Sequence, residues 1–187
     1  PALLIEAHRA LGASLFFRGE FVQARHHLEQ GLALYDTQQH AALTLQYGQD
    51  SGAVCLAYTA WTLWLCGYPE QALATITEAR TLTQSVAHPF SQGLVLIFAT
   101  MLHQCRGDRL AVQADAEASI KLGEEHQFPI FVAMGTTFQG WALAVQGALP
   151  EGLPRLLHGL AMYRDTGAEL ARTYMLTLLA EVYWRNG

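Results

Sequence analysis

Catalytic or metal chemistry could come from only a few places in this 187-residue chain. Gly48-Gln49-Asp50-Ser51-Gly52 is a polar loop bounded by glycines, a backbone type that can cradle a phosphate. A cradle calls for a basic residue after it, and none follows. The loop reads instead as a connector in which Asp50 or Ser51 caps the next helix. A P-loop is absent, since the one lysine, Lys121, follows Ile120 rather than glycine. The histidines include one adjacent pair, His26-His27, whose side chains diverge on a helix, and no H-E-x-x-H occurs. No metal or other cofactor is expected. Cys55, Cys66 and Cys105 are odd in number and lack a C-x-x-C pair, which predicts reduced thiols packing as small apolar side chains in the cytoplasm. No nucleophile, base and orienter stand at an arguable spacing, so no catalytic residue is named and the chain reads as a non-enzyme.

Aromatic residues, by contrast, recur at fixed intervals. Tyr58, Phe98, Phe138 and Leu178 form one column, each 40 residues from the next. Trp61, Met101, Trp141 and Glu181 form a second. Phe16, Trp64, Gln104, Ala144 and Trp184 form a third, with a longer first interval. Large aromatics in register either fill a core or build an apolar wall that captures a partner.

Composition narrows the classes. At 51% hydrophobic and 14% charged the chain is too apolar for disorder, and too poor in charge to expose all its surface. Ten of the eleven basic residues are scattered arginines, so no basic stripe suits nucleic acid. The windows Thr81–Cys105 and His126–Pro150 hold no charged residue, yet each contains Pro, Gln and His. Their strictly apolar cores, such as LVLIFATML, are too short for a membrane span. No secretory signal is visible, and the absence of an initiator Met suggests a piece of a longer protein.

The elements that would hold the columns are set out by glycines. Gly19, Gly67, Gly107, Gly147 and Gly187 are separated by 48, 40, 40 and 40 residues. Small residues sit seven positions before them (Gly12, Ala60, Thr100, Gly140, Ala180). Small or short residues also follow the first four at five positions (Ala24, Ala72, Val112, Gly152) and at twelve (Gly31, Ala79, Ser119, Gly159). Each landmark glycine predicts the C-terminal end of an A helix, and the small positions predict close approach of an antiparallel B helix. The expected A helices are Ala2–Arg18, Gly52–Cys66, Pro89–Arg106, Pro129–Gln146 and Glu169–Asn186. The B helices are Phe21–Tyr35, Pro69–Thr83, Arg109–Glu124 and Pro150–Arg164. Pro150 and Pro154 conflict with the last of these, which should start late or kink. Asp115, Glu117 and Lys121 are expected on the outer face of a B helix.

This pattern resembles the tetratricopeptide repeat, most clearly in Leu11-Gly12, Leu15, Gly19, Phe21, Ala24, Leu28 and Gly31. It departs in its 40-residue period and in Thr59, Ala99 and Gln139, which stand where the repeat has leucine. The segments GLALYDTQQHAALTLQYGQDSG, LWLCGYPEQAL, VAHPF, GWALAVQG and YRDTGAELARTYMLTLLAEVY are similar to the repeat arm of multidomain bacterial adenylate/guanylate cyclase proteins with a central ATPase. The resemblance implies an all-α, right-handed superhelical solenoid of antiparallel helix pairs, one domain over 1–187. Its repeats would lie at about 2–36, 50–84, 89–125 and 129–166, with a half repeat at 168–187. It places the A-helix columns on a concave surface, so the expected binding residues are Phe16, Tyr58, Trp61, Trp64, Phe98, Met101, Phe138, Trp141 and Trp184. The expected function is a protein-interaction and regulatory module of a bacterial signalling protein, holding a peptide, a partner protein or another domain of its own chain. The alternative is a small-molecule sensor arm using His103, Gln104, Thr137 and Gln139. Self-association through the apolar last helix is a further expectation; nucleic acid and membrane are not expected as partners.

Overall fold

The computed structural model describes residues 2–40 and 43–186, and the landmark Gly187 lies outside them. The described residues contain no strand. The chain divides into two compact units, residues 1–102 and 103–187.

The first unit holds α1 (Ala2–Phe17), α2 (Phe21–Leu34), α3 (Thr37–His40), α4 (Leu43–Tyr47), α5 (Ser51–Leu65), α6 (Pro69–Val86) and most of α7 (Pro89–Cys105). The second holds the end of α7, then α8 (Arg109–Glu125), α9 (Pro129–Val145), α10 (Leu149–Asp165) and α11 (Arg172–Asn186). The expected A and B helices are all present, with ends shifted by up to three residues.

Each A-to-B turn is made as the glycine spacing predicts. Gly19, Gly67, Gly107 and Gly147 all have φ between 73° and 97°, the left-handed region in which a Cβ is penalised. A second left-handed series, at the B-helix ends, escaped the sequence reading: Ala87 (φ 52°), Gln127 (φ 58°) and Gly167 (φ 78°), again 40 residues apart. Two of its three members are not glycine, so no residue-type landmark announced it.

The B helices each bury one stripe, at i, i+4 and i+7: Ala24, Leu28 and Gly31 in α2; Ala72, Ile76 and Ala79 in α6; Val112, Ala116 and Ser119 in α8; Gly152, Leu156 and Gly159 in α10. The outer members are the predicted small positions. The closest approach is between α9 and α10, where a Cβ on Gly140 or Gly152 would run into the facing helix backbone. Pro150 sits in the first turn of α10 and Pro154 lies inside it, so this helix does not start late. The longer first interval accommodates two short helices, α3 and α4. Asp36 starts α3 by accepting from the Gln38 and Gln39 amides at 2.9 Å.

Candidate functional site

The glycine-bounded loop is a capping junction. The buried Asp50 carboxylate accepts from the Ala53 amide (2.8 Å) at the start of α5 and from the Tyr35 hydroxyl (2.6 Å). The Asp50 amide donates to Ser91 Oγ (2.7 Å), which lies 3.0 Å from His88 Nδ1. Burial lowers the His88 pKa and raises that of Tyr35. Ser51 Oγ donates to Glu6, which also pairs with Arg9. An Asp, a Ser and a His thus meet, but Ser91 is fully buried and Asp50 reaches it through its backbone, so the set ties three helices together and offers no open nucleophile.

His27 pairs with His8, Nδ1 to Nδ1 at 3.1 Å, and burial, then His8, then His26 lower its pKa. Among the described residues no three His, Cys, Asp or Glu side chains converge as metal ligands. Cys55 is buried, and desolvation pushes its thiol up to about 12, well away from thiolate chemistry.

The aromatic positions separate into two kinds. In the first unit, Phe16 of α1, Tyr58 of α5 and Phe98 of α7 are half-buried and meet edge to face. Their ring centroids are 5.5 Å apart for Phe16–Tyr58 and 4.9 Å for Tyr58–Phe98. Phe17, which is 51% exposed, extends this ladder with its ring 6.0 Å from Tyr58, and Phe21 joins at 5.8 Å from Phe16. The sequence reading missed both, because neither falls on a 40-residue column. Trp64 and Met101 are half-buried. Trp61, expected on an open wall, is buried, and its Nε1 donates to the Phe98 carbonyl at 3.3 Å.

In the second unit, Phe138 and Trp141, also expected on the wall, are buried beneath α11. The Tyr174 ring lies tilted against Phe138, with centroids 6.1 Å apart. Glu181 Oε2 accepts from Trp141 Nε1 (2.9 Å) and Gln104 Nε2 (3.4 Å), while its Oε1 takes Arg185 Nε at 2.8 Å. Gln104 Oε1 in turn accepts from Tyr174 OH (2.7 Å). A carboxylate in a column otherwise held by Trp and Met was the available signal for this cluster. Trp184 is 81% exposed. Asp115, expected on the outer face of its helix, is buried with its Oδ2 3.7 Å from His103 Nε2. Of the polar residues considered for a sensor pocket, Thr137 bonds to the Ala133 carbonyl (2.9 Å) and Gln139 accepts from Arg155 (2.7 Å).

The helix pairs of the first unit are the ones a family model detects. The tetratricopeptide repeat model matches residues 5–30 and 53–76, which fall on α1–α2 and α5–α6. Among solved structures, the chain is similar to a Podosopora anserina protein described as a kinesin light chain with nearly identical TPR-like repeats. The TM-score is 0.65 at 16% identity, covering 98% of this chain and 87% of that one. The chain has an all-helical, TPR-like repeat fold. It is also 24% identical over 169 residues to an uncharacterized protein of Rhizobium meliloti (strain 1021). That match covers 90% of this chain and 16% of the relative, so the chain spans about a sixth of the relative's length. Tetratricopeptide repeats generally mediate protein–protein interaction, and their fold is typically a non-catalytic scaffold. No helix among the described residues is long and apolar enough to cross a membrane.

Proposed function

We propose that this TPR-like domain is an interaction and regulatory module that captures a partner protein segment on the aromatic ladder of its first unit, within a larger bacterial signalling protein. The ladder carries the reading. Phe16, Phe17, Tyr58 and Phe98 present linked aromatic faces from three helices while remaining part-exposed, and aromatic side chains dominate interface energetics. The match to about a sixth of a much longer bacterial protein supports a setting among other domains. Phe138 and Trp141 take no part in capture, because α11 already covers them.

Peptides selected from a displayed random library against the chain test this. Binding should fall at least tenfold in Tyr58→Ala/Phe98→Ala, with the helical circular dichroism retained. Selected peptides that bind the double variant as well as the parent would overturn the assignment.

A further inference from the structure

On the side of α5 turned away from the ladder, the first unit contains a cavity of about 790 Å³. Residues 56, 59 and 63 follow one stripe of α5 and make its floor; Tyr58 lies about 100° round the helix from Thr59. The walls are α2 and α6. The two helices pack on α5 without closing on each other, and the lining positions of α6 run from Gln71 to Ser85. That is about 21 Å of helix at ~1.5 Å per residue, so the cavity is a trough the length of about six extended residues at ~3.3 Å each.

Its chemistry is uneven in a telling way. The floor and lower walls are apolar, with Leu32, Leu56, Leu63 and Leu82. In the floor, Thr59 is 5% exposed and its Oγ1 has no hydrogen-bond partner. Thr62 and Thr100, by contrast, bond back to the carbonyl four residues earlier at 2.7 Å. A buried hydroxyl left unpaired is costly unless something entering the site completes it.

The upper walls are rich in acceptors. Thr81 and Ser85 spend their hydroxyl hydrogens on the Thr77 and Leu82 carbonyls, leaving lone pairs available. The one lining cation, Arg25, is held by Glu29 at 2.6 Å and lies 6.0 Å over the Tyr68 ring. Glu78 is exposed and enters no ion pair among the described residues. The lining therefore asks for a donor-rich, positively charged occupant with apolar groups on one side.

We propose that this trough binds an extended peptide segment of about six residues in which apolar side chains alternate with lysine or arginine. In an extended strand successive side chains point to opposite sides, so alternation puts the apolar set on the leucine floor and the basic set at the Glu78 rim. The backbone amides face the wall acceptors, and Thr59 gains a partner. The site is separate from the ladder and stands whether or not the ladder binds anything.

The test uses two capped fluorescent hexapeptides, one alternating leucine with lysine and one alternating leucine with glutamate, measured by anisotropy against the chain. The lysine peptide should bind at least tenfold tighter. Thr59→Leu, which fills the floor with the residue usual for the repeat, should weaken it at least fivefold. Glu78→Lys, a change on an exposed surface, should invert the preference toward the glutamate peptide. Phe98→Ala should leave binding unchanged. Equal binding of the two peptides, no response to either trough variant, or loss in Phe98→Ala alone would each overturn the assignment.

Discussion

The two units treat the column of Tyr58, Phe98 and Phe138 in opposite ways. In the first, Phe16, Tyr58 and Phe98 form a part-exposed ladder linked edge to face. In the second, Phe138 is sealed by Tyr174 of α11, and Trp141, buried as Trp61 is, takes its indole partner, Glu181, from the same helix. Equivalence along the sequence therefore fixes where a side chain starts, but not whether it stays open. That is decided by the next helix laid across it and by whether that helix brings a partner for the indole nitrogen.

The sharpest way to break this contrast is truncation on each side. Trp141→Ala should cost about 3–5 kcal/mol, the usual range for emptying a large buried aromatic site. It also leaves Glu181 without its indole donor. Tyr58→Ala, at a half-buried site, should cost about 1 kcal/mol. Urea denaturation followed by circular dichroism reads both. Equal losses would mean that the ladder is as much a part of the core as the sealed set.

Helix approach gives a smaller effect in the same comparison. Gly152→Ala pushes a Cβ into the Ala144 and Gly140 backbone and should destabilise by about 1–3 kcal/mol. At Gly31 the nearest atom to a new Cβ is Cys55 Sγ at 3.2 Å, a side chain that can yield. Gly31→Ala should therefore be close to neutral, since alanine regains about 1 kcal/mol of helix propensity. A melting-temperature pair separates the two. If both variants fall together, the α1–α2 pair is as tight as α9–α10.

The smallest effect should not distinguish the units at all. Ala87 and Gln127 hold equivalent left-handed turns, one in each unit, where Gly167 has glycine. Ala87→Gly and Gln127→Gly should each raise stability by up to about 1 kcal/mol, by relieving the Cβ penalty. A gain at only one of them, measured by thermal unfolding, would show that the turns are not equivalent.

Most of the helical framework was legible because it depends on residue types that have few substitutes. Glycine marks the A-helix ends at Gly67, Gly107 and Gly147, and small residues mark the tight crossings at Gly140, Gly152 and Gly159. The B-helix ends were not legible, since Ala87 and Gln127 adopt a conformation their side chains do not advertise. Neither were α3 and α4, which lie outside the period. At the candidate site, Tyr58 and Phe98 could be picked out by register alone. The burial of Trp61 and Trp141 could not, because it depends on a carbonyl of α7 and a carboxylate of α11 that meet them only after folding.

Helix α5 has a practical consequence. It stands between the ladder and the trough and carries two indoles three residues apart, Trp61 buried and Trp64 half-buried. Occupation of either face changes the surroundings of this one helix. The protein thus contains its own optical probe: unlabelled tryptophan emission, compared between Trp61→Phe and Trp64→Phe, can show which side of α5 a newly added molecule has touched.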